Sequence, residues 1–287
     1  MSNYIITSDT TCDLPDKYIT KNHIDIIPLY YKLGETIYGD EENLDPSEFY
    51  NKMRHGQMPT TMGCNPETAR EHFCKILDRG YDIIHISFSS ALSSSFNTVS
   101  VVVNELQEEY PERNIIVVDS KCASLGEGLL VYKAVCNRQN GMSINDNAKW
   151  LEDNKLHVCH QFTVDDLHHL HRGGRVSKKA AIIGTVINVK PVLHVDDEGA
   201  LVPLCNVRGR KKSLNTLIDN MAASIEGYDN DAVFISHGDC LKDAEYVAEQ
   251  VKKRFGIENI MINFVSPTVG AHSGPGTLAL FYMGENR

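Results

Sequence analysis

The sequence predicts a two-domain α/β fold, with a doubly wound parallel sheet first and a mixed or antiparallel sheet with helices second. Three observations support this: a length of 287 residues, short apolar runs that alternate with helical patterns in the first half, and a hairpin pattern in the second. A chain of this length exceeds the usual size of one domain, about 100 to 200 residues. We place the boundary at residue 155, which gives domains 1–155 and 156–287 with a ligand between the two.

Four apolar runs in the first half are short, rich in β-branched residues and not alternating, as is typical of strands covered on both faces. They lie at 4–7, 24–31, 83–88 and 115–118. Helical patterns fit 65–80, 96–110 and 125–139, and the first of these begins at an Asn-Pro pair and ends at a glycine. This order of strands and helices predicts a parallel sheet.

The second half contains the segments VKPVLHV and ALVPLCNV on either side of DDEG, which predicts two antiparallel strands around a turn. Further strands are predicted at 157–164, 232–236, 259–264 and 278–283. Helices are predicted at 178–187, 212–225 and 241–255, and 143–154 is the expected connecting helix. The second sheet is therefore expected to be at least partly antiparallel.

Composition excludes several functional classes. The net charge of −10 opposes nucleic-acid binding, and no apolar run approaches the roughly 20 residues that span a bilayer, so we expect no integral membrane segment. The N-terminus lacks the pattern of a secretory signal, which predicts a cytoplasmic protein. Eight cysteines without a CxxC pair, and histidines that match no zinc spacing, predict reduced thiols and no metal site.

Hydroxyl side chains dominate the loops that follow three of the predicted parallel strands, where ligands of such sheets bind. These loops are 8–13, 87–95 and 119–124, and a further pair, Thr60 and Thr61, precedes the helix that starts at Asn65. Together they suit one small anionic or carbonyl group near a helix N-terminus. The alternative is that these residues only cap helices and form turns.

Two other segments carry candidate binding residues. In the glycine-rich segment 269–276, His272 is placed to hydrogen-bond a carboxylate, or else is a structural histidine in a turn between the last two strands. In 164–177, Arg172 and Arg175 flank two glycines and resemble an oxyanion or phosphate clamp, or else form a solvated basic turn.

The common catalytic and nucleotide-binding motifs are absent from the sequence, including GxGxxG, GxxxxGK[ST], HExxH and GxSxG. A serine-dependent hydrolase or acyltransferase that uses Ser93 and His272 with Asp9 or Asp119 stays open as an alternative, because triads are defined by geometry rather than chain order. The sequence contains no nucleophile elbow to support it.

Taken together, the segments resemble the DegV family of bacterial fatty acid-binding proteins over essentially the whole chain. The family's opening motif matches 8–14, and its serine-rich loop is similar to 89–95. Further similarities are Asp119-Ser120, the 165–175 segment and Gly270-Ala271-His272-Ser273-Gly274-Pro275-Gly276. The order and spacing of these motifs carry the resemblance.

The resemblance implies a lipid-binding subunit that is not itself an enzyme, with a bound long-chain fatty acid as ligand and no other cofactor. A separate fatty acid kinase subunit would convert the presented carboxylate to an acyl phosphate. The implied carboxylate-binding residues are Thr61, Ser93 and His272, with a supporting pocket of Ser8, Asp9, Ser94, Ser124 and Gly274. Arg172, Arg175 and Arg208 would face the kinase or the new phosphate.

Two segments depart from the family pattern, namely Thr61-Met62-Gly63 and Ser93-Ser94-Ser95. The side chain of Ser94 is expected to narrow the head-group pocket. The apolar segment 180–193 is the candidate for part of the tail tunnel, although an ordinary core helix and strand would have the same pattern. A carrier of another lipid, such as a retinoid or sterol-like molecule, is a third possibility.

Overall fold

The computed structural model describes residues 4–39, 42–177, 188–285 and 287. Its strands are β1 (Tyr4–Asp9), β2 (Asp25–Ile27), β3 (Leu29–Leu33), β4 (Thr36–Tyr38), β5 (Thr60–Cys64), β6 (Asp82–Ser87), β7 (Ile115–Asp119), β8 (Val158–Thr163), β9 (Val189–Val195), β10 (Leu201–Arg208), β11 (Val233–His237), β12 (Ile260–Phe264) and β13 (Leu278–Met283). Its α-helices are Asp16–Asn22, Pro46–Arg54, Pro66–Leu77, Ser95–Glu109, Leu125–Gln139, Ile144–Asn154, Leu167–Arg172, Arg210–Ser224, Leu241–Phe255 and Pro267–Ser273. The α/β class is confirmed.

The first sheet has the order β2-β1-β6-β7, and its neighbouring strands are all parallel. Its strands are apolar on both faces because helices cover both. On one face, helices Pro66–Leu77 and Ser95–Glu109 share a core with Ile83. On the other, Leu129 packs in a core with Ile84. This two-sided covering explains why the predicted runs did not alternate.

The second sheet has the order β10-β9-β8-β13-β11-β12. Strands β11 and β12 pair in parallel, and the other pairs, including the predicted β9–β10 hairpin, are antiparallel. Helices Arg210–Ser224 and Leu241–Phe255 cover one face through Leu217 and Val247. The opposite face contributes Phe281 to the core shared with the parallel sheet. The sheet is therefore mixed, as predicted.

A small third sheet, β4-β3-β5, was not predicted. The expected single strand 24–31 is wrong, because the chain divides at Pro28 into β2 of the parallel sheet and β3 of this antiparallel sheet. Proline has no N–H to donate to a strand partner, so the break falls where the ladder would lose a bond. The third sheet matters for the site because Thr61 lies on its β5 strand.

The other differences between the predicted and the observed elements are local. Segment 269–276, for which a turn was considered, instead contains most of helix Pro267–Ser273, with Pro267 in its first turn. The predicted helix 178–187 lies outside the described residues, and so does most of the proposed tunnel segment 180–193. The parallel sheet ends at Asp119 and the mixed sheet begins at Val158. Residue 155, between them, stays our proposed domain boundary.

Candidate functional site

A cavity of about 290 Å³ lies between the loops at the carboxyl end of the parallel sheet and one face of the mixed sheet. This volume is close to the lower end of the range for ligand pockets, about 300 to 1,000 Å³. Its walls are largely apolar and include Leu29, Phe88, Leu92, Phe162, Leu170, Val195, Leu201, Val265, Val269, Ala279 and Phe281. Such a lining suits a hydrocarbon chain.

Strand pairing explains how the mixed sheet forms one wall. Ala279 lies opposite Phe162 on β8 and Ser236 on β11, and Phe281 lies opposite His160. Alternate residues of a strand share a face, so these five side chains point to the same side of the sheet. All five line the cavity.

Two of the predicted carboxylate-binding residues meet at the polar end of this cavity. Thr61 Oγ1 lies 2.7 Å from His272 Nε2, although the two residues are 211 positions apart in the sequence. Burial lowers the pKa of His272 to about 4, and the positive charges of Arg175 and Arg172 act in the same direction. The imidazole is therefore neutral at pH 7.

The serine-rich loop brings hydroxyl groups to the same cavity. Ser93 Oγ lies 2.8 Å from Ser95 Oγ, where helix Ser95–Glu109 begins. Ser94 occupies the N-cap position, but its side chain does not cap the helix. Ser93 and Ser94 both line the cavity, and a Cβ atom on Gly63 would lie 3.3 Å from Ser94 Oγ. The hydroxyls thus lie close to the backbone of β5 near Thr61, and the narrowing of the head-group pocket by Ser94 stays a prediction.

Two of the three arginines that were predicted to face the partner or the phosphate lie near the polar end of the cavity. Arg175 lines the cavity, and its Nε and Nη2 donate to the carbonyl oxygen of Leu92 at 3.1 and 2.7 Å. Arg172 is exposed and donates to the carbonyl oxygen of Ala271 at 3.3 Å, beside His272. Arg208 is exposed at the end of β10 and is not a cavity-lining residue.

The predicted supporting residues divide into two groups. Ser94 and Ser124 line the cavity, whereas Ser8, Asp9 and Gly274 are not among its lining residues. Asp9 Oδ2 accepts hydrogen bonds from the Phe88 N–H at 2.8 Å and the Ser87 hydroxyl at 3.0 Å, so it shapes the loop after β6. Gly274 ends the helix that carries His272, with a φ of 81° that favours glycine.

Glu127, which forms a buried carboxyl cluster with Asp9 and Asp13, was not singled out in the sequence. Glu127 has no exposed surface and accepts hydrogen bonds from Ser8 at 2.9 Å and Thr11 at 3.0 Å. Burial raises its pKa well above the ordinary value, and burial also raises the pKa of Asp9 to about 6 and that of Asp13 to about 7. The signal available in the sequence was an acidic residue inside the apolar segment LGEGLL.

Asp13 connects the loop after β1 to the mixed sheet. Its Oδ1 accepts from the Ser266 N–H at 3.1 Å, its Oδ2 accepts from the Ser124 hydroxyl, and its carbonyl oxygen accepts from Asn263 Nδ2 at 2.7 Å. Ser266 is the N-cap residue of the helix that carries His272. Asp13 therefore helps to hold that helix against the parallel sheet.

His160, which was not predicted as a site residue, is a structural part of the cavity wall. Its Nδ1 donates to the Val158 carbonyl oxygen at 2.9 Å, and its Nε2 accepts from the Ala123 N–H at 3.2 Å. Burial lowers its pKa well below the ordinary value. The described residues contain no group of three or more side chains that could hold a metal ion.

None of the helices in the described ranges combines the length and the apolar character that a bilayer span requires.

Comparisons with known proteins agree with the sequence resemblance. The model of the family described as "Uncharacterised protein, DegV family" matches residues 4–285. A DegV domain-containing protein of Clostridium perfringens is 39% identical, and the alignment covers 100% of this chain and 99% of that protein. These two matches confirm the resemblance.

Two solved structures are similar over their full length. A DegV family protein of Thermus thermophilus, described for its fatty acid binding, has 27% identity and a TM-score of 0.87, with 98% of this chain and 100% of that chain covered. DegV of Bacillus subtilis, described as a fatty acid binding protein, has 27% identity and a TM-score of 0.84, with 99% and 100% covered.

Proposed function

This chain belongs to the DegV family, and we propose that it binds a long-chain fatty acid in the cavity between its parallel and mixed sheets. One observation carries the proposal: an apolar cavity ends at the Thr61–His272 pair, beside the hydroxyl of Ser93. The fatty acid-binding relatives of Thermus thermophilus and Bacillus subtilis support the same ligand class.

The free energies of tail burial and of hydrogen bonding differ in size, which indicates different roles for the two ends of the cavity. A tail of about fifteen methylenes, at ~0.8 kcal/mol each, gives roughly 12 kcal/mol of gross stabilisation on burial. A hydrogen bond contributes a net ~1 kcal/mol, or somewhat more when the acceptor is charged. The tail therefore dominates affinity, while Thr61, Ser93 and His272 orient the carboxylate.

Mass spectrometry of an organic extract from the purified, denatured protein tests the ligand class. We expect a long-chain fatty acid at close to one equivalent per chain. An extract without fatty acid, together with no binding when fatty acids are titrated into the protein, would contradict the proposal. A retinoid or sterol-like molecule in the extract would favour the other lipid class.

We further propose that the bound carboxylate is presented to a separate kinase subunit. The support is that the polar end reaches the surface, since Ser94 lines the cavity and is exposed, as is Arg172 beside His272. A partner that adds a phosphate would meet Arg172 and Arg175 there. Arg208 lies apart on β10, and its proposed role is contact with the partner itself.

The double variant Thr61→Ala with Ser93→Ala tests this presentation. We expect the fatty acid to stay bound, because the tail dominates affinity, while acyl phosphate formation with a cognate kinase falls. Unchanged acyl phosphate formation would reject the proposed carboxylate contacts.

We propose that the chain binds lipid without catalysing a reaction of its own. The support is that Ser93 Oγ is paired with Ser95 Oγ, whereas His272 is paired with Thr61. A serine nucleophile needs a base within hydrogen-bond reach. A fluorophosphonate probe should therefore leave Ser93 unlabelled, and stoichiometric labelling of Ser93 would favour the hydrolase alternative.

A further inference from the structure

The cavity has polar side chains beyond its head-group end. Hydroxyl groups of Thr11, Ser124, Ser236, Ser273 and Thr277 also line it, and each of these residues is at most 5% exposed except Ser273, which is 6% exposed. Buried hydroxyl groups without partners are unfavourable in an apolar site. Whether each one has a partner therefore indicates what the ligand must supply.

Four of the five hydroxyls are satisfied by the protein. Thr11 donates to Glu127 at 3.0 Å, and Thr277 donates to the Gly274 carbonyl oxygen at 2.8 Å. Ser124 donates to Asp13, and its oxygen lies 2.8 Å from Ser236 Oγ. Within the described part of the chain, Ser273 Oγ is buried and has no hydrogen-bond partner.

The helix geometry separates Ser273 from the head group. Residues of an α-helix are spaced about 100° apart, so Ser273 and His272 point in different directions. His272 and Thr268 face the third sheet, through Thr61 Oγ1 at 2.7 Å and the Leu29 carbonyl oxygen at 3.2 Å. Ser273 therefore lines the cavity from a side of the helix that is about 100° around its axis from the side that contacts Thr61.

The chain that follows Ser273 packs against the end of β11. The Gly276 N–H donates to the Gly238 carbonyl oxygen at 2.7 Å, and the Gly238 N–H donates to the Thr277 carbonyl oxygen at 2.7 Å. Gly238 is two residues beyond Ser236, whose hydroxyl lines the same cavity. A serine hydroxyl has one donor and two acceptor positions, so Ser236 retains acceptor capacity beside its bond to Ser124.

We propose that Ser273 marks a second polar position inside the cavity, which binds an oxygen substituent on the acyl chain. The inference rests on the proposed function and deepens it: the ligand class includes long-chain fatty acids that carry one hydroxyl group along the tail. The Ser273 hydroxyl donates to the oxygen of that group. The proton of the ligand hydroxyl is accepted by Ser273 or Ser236.

The test is a titration of delipidated protein with an unsubstituted long-chain fatty acid and with a series of its monohydroxy isomers. At least one isomer should bind the wild type about fivefold more tightly than the unsubstituted acid, as one added net hydrogen bond predicts. Ser273→Ala should abolish this preference and bind the unsubstituted acid as the wild type does. Its melting temperature should not fall, because the variant removes a hydroxyl without a partner.

Ser266→Ala is the matched control, because Ser266 lies at the other end of the same helix and outside the cavity lining. It should keep the isomer preference. The proposal is overturned if no isomer binds the wild type better than the unsubstituted acid, which would leave only water as the partner of Ser273. Persistence of the preference in Ser273→Ala would overturn it too. If neither the acid nor its isomers bind, the proposed function itself fails.

Discussion

The Thr61–His272 contact joins an edge strand of the third sheet to a short helix before β13, and burial keeps the imidazole neutral. While the neutral imidazole and the hydroxyl are bonded to each other, one of their two donor protons lies between them, so the pair can donate only the other to a carboxylate, without adding a charge to the cavity. Under the proposed function, these two side chains orient the carboxylate of the ligand, while the affinity depends on its tail.

Replacing Thr61 by valine keeps the side-chain shape and removes the hydroxyl. We expect Thr61→Val to weaken fatty acid binding by roughly fivefold, the equivalent of one net hydrogen bond of ~1 kcal/mol. Calorimetric titration of delipidated protein measures this. Thr61→Ser, which restores the hydroxyl, should bind within about twofold of the wild type. Equal affinities for the valine and serine variants would remove Thr61 from the carboxylate site.

The Asp13 carboxyl makes stability depend on pH. Its pKa of about 7 in the folded protein exceeds the ordinary value of 3.8, so between these values the folded state binds more protons than the unfolded state. The free energy of unfolding should therefore fall as the pH rises from about 4 to 7, by up to ~1.4 kcal/mol per pH unit. Asp9 contributes in the same direction through its pKa of about 6.

Asp13→Asn should reduce this slope, because the amide has the same shape and does not titrate. Urea unfolding of both proteins at several pH values between 4 and 8 measures the two slopes. Parallel slopes for the wild type and Asp13→Asn would show that Asp13 titrates normally in the folded state.

At the scale of secondary structure, two helices position His272. Helix Pro267–Ser273 carries the residue, and Gly173, which ends helix Leu167–Arg172, packs against its ring. A Cβ atom on Gly173 would lie 2.0 Å from His272 Nδ1. Since the φ of Gly173 is −74°, an alanine fits the backbone there and would act only through this contact.

Gly173→Ala should therefore displace the His272 ring from Thr61. We expect a changed His272 imidazole signal in NMR spectra and an affinity for fatty acid that falls roughly fivefold. Gly174→Ala is the control: its φ of 74° makes alanine unfavourable by about 1 to 2 kcal/mol, but no atom lies within 4 Å of the added carbon. It should lower stability and leave the His272 signal unchanged. The same shift in both variants would contradict the packing role of Gly173.

The sequence predicted most elements because hydrophobic period and helix stop signals are local. Helices Leu125–Gln139 and Leu241–Phe255 and strand β13 were predicted with the observed bounds. Helix Pro267–Ser273 was missed because Gly270 and Gly274 resemble turn residues, and the packing of Gly270 against Tyr50 depends on tertiary structure. The third sheet was missed because β4 and β5 are short and partly polar.

The whole molecule creates the cavity, because neither sheet encloses it alone. The loops after the parallel strands were predicted to converge, and Ser93 and Ser124 do line one cavity. The opposite wall, including Ala279 and Phe281, was not predicted, since it depends on which face of the mixed sheet meets those loops. For the same reason, the sequence did not reveal Ser273 or Ser236 as cavity residues.

Filling the cavity should shorten the preferred ligand. Ala279 is 6% exposed and lies in the middle of the wall formed by β13 and its neighbours. We expect Ala279→Leu to weaken binding of a long-chain acid about tenfold or more, while an acid with about four fewer methylenes binds as it does to the wild type. Competition with a fluorescent fatty acid measures both affinities. Equal losses for the long and the short acid would indicate a general folding defect instead.

The central claim is that the tail lies between the two sheets and the carboxylate lies at Thr61, Ser93 and His272. A crystal structure with a long-chain fatty acid brominated near its methyl end tests this most directly, because the anomalous signal of bromine locates the tail. The account predicts bromine in the cavity beside the mixed sheet and a carboxylate oxygen within hydrogen-bond distance of Thr61 Oγ1. Bromine at the Thr61–His272 end, or a ligand bound only at the outer surface, would contradict it.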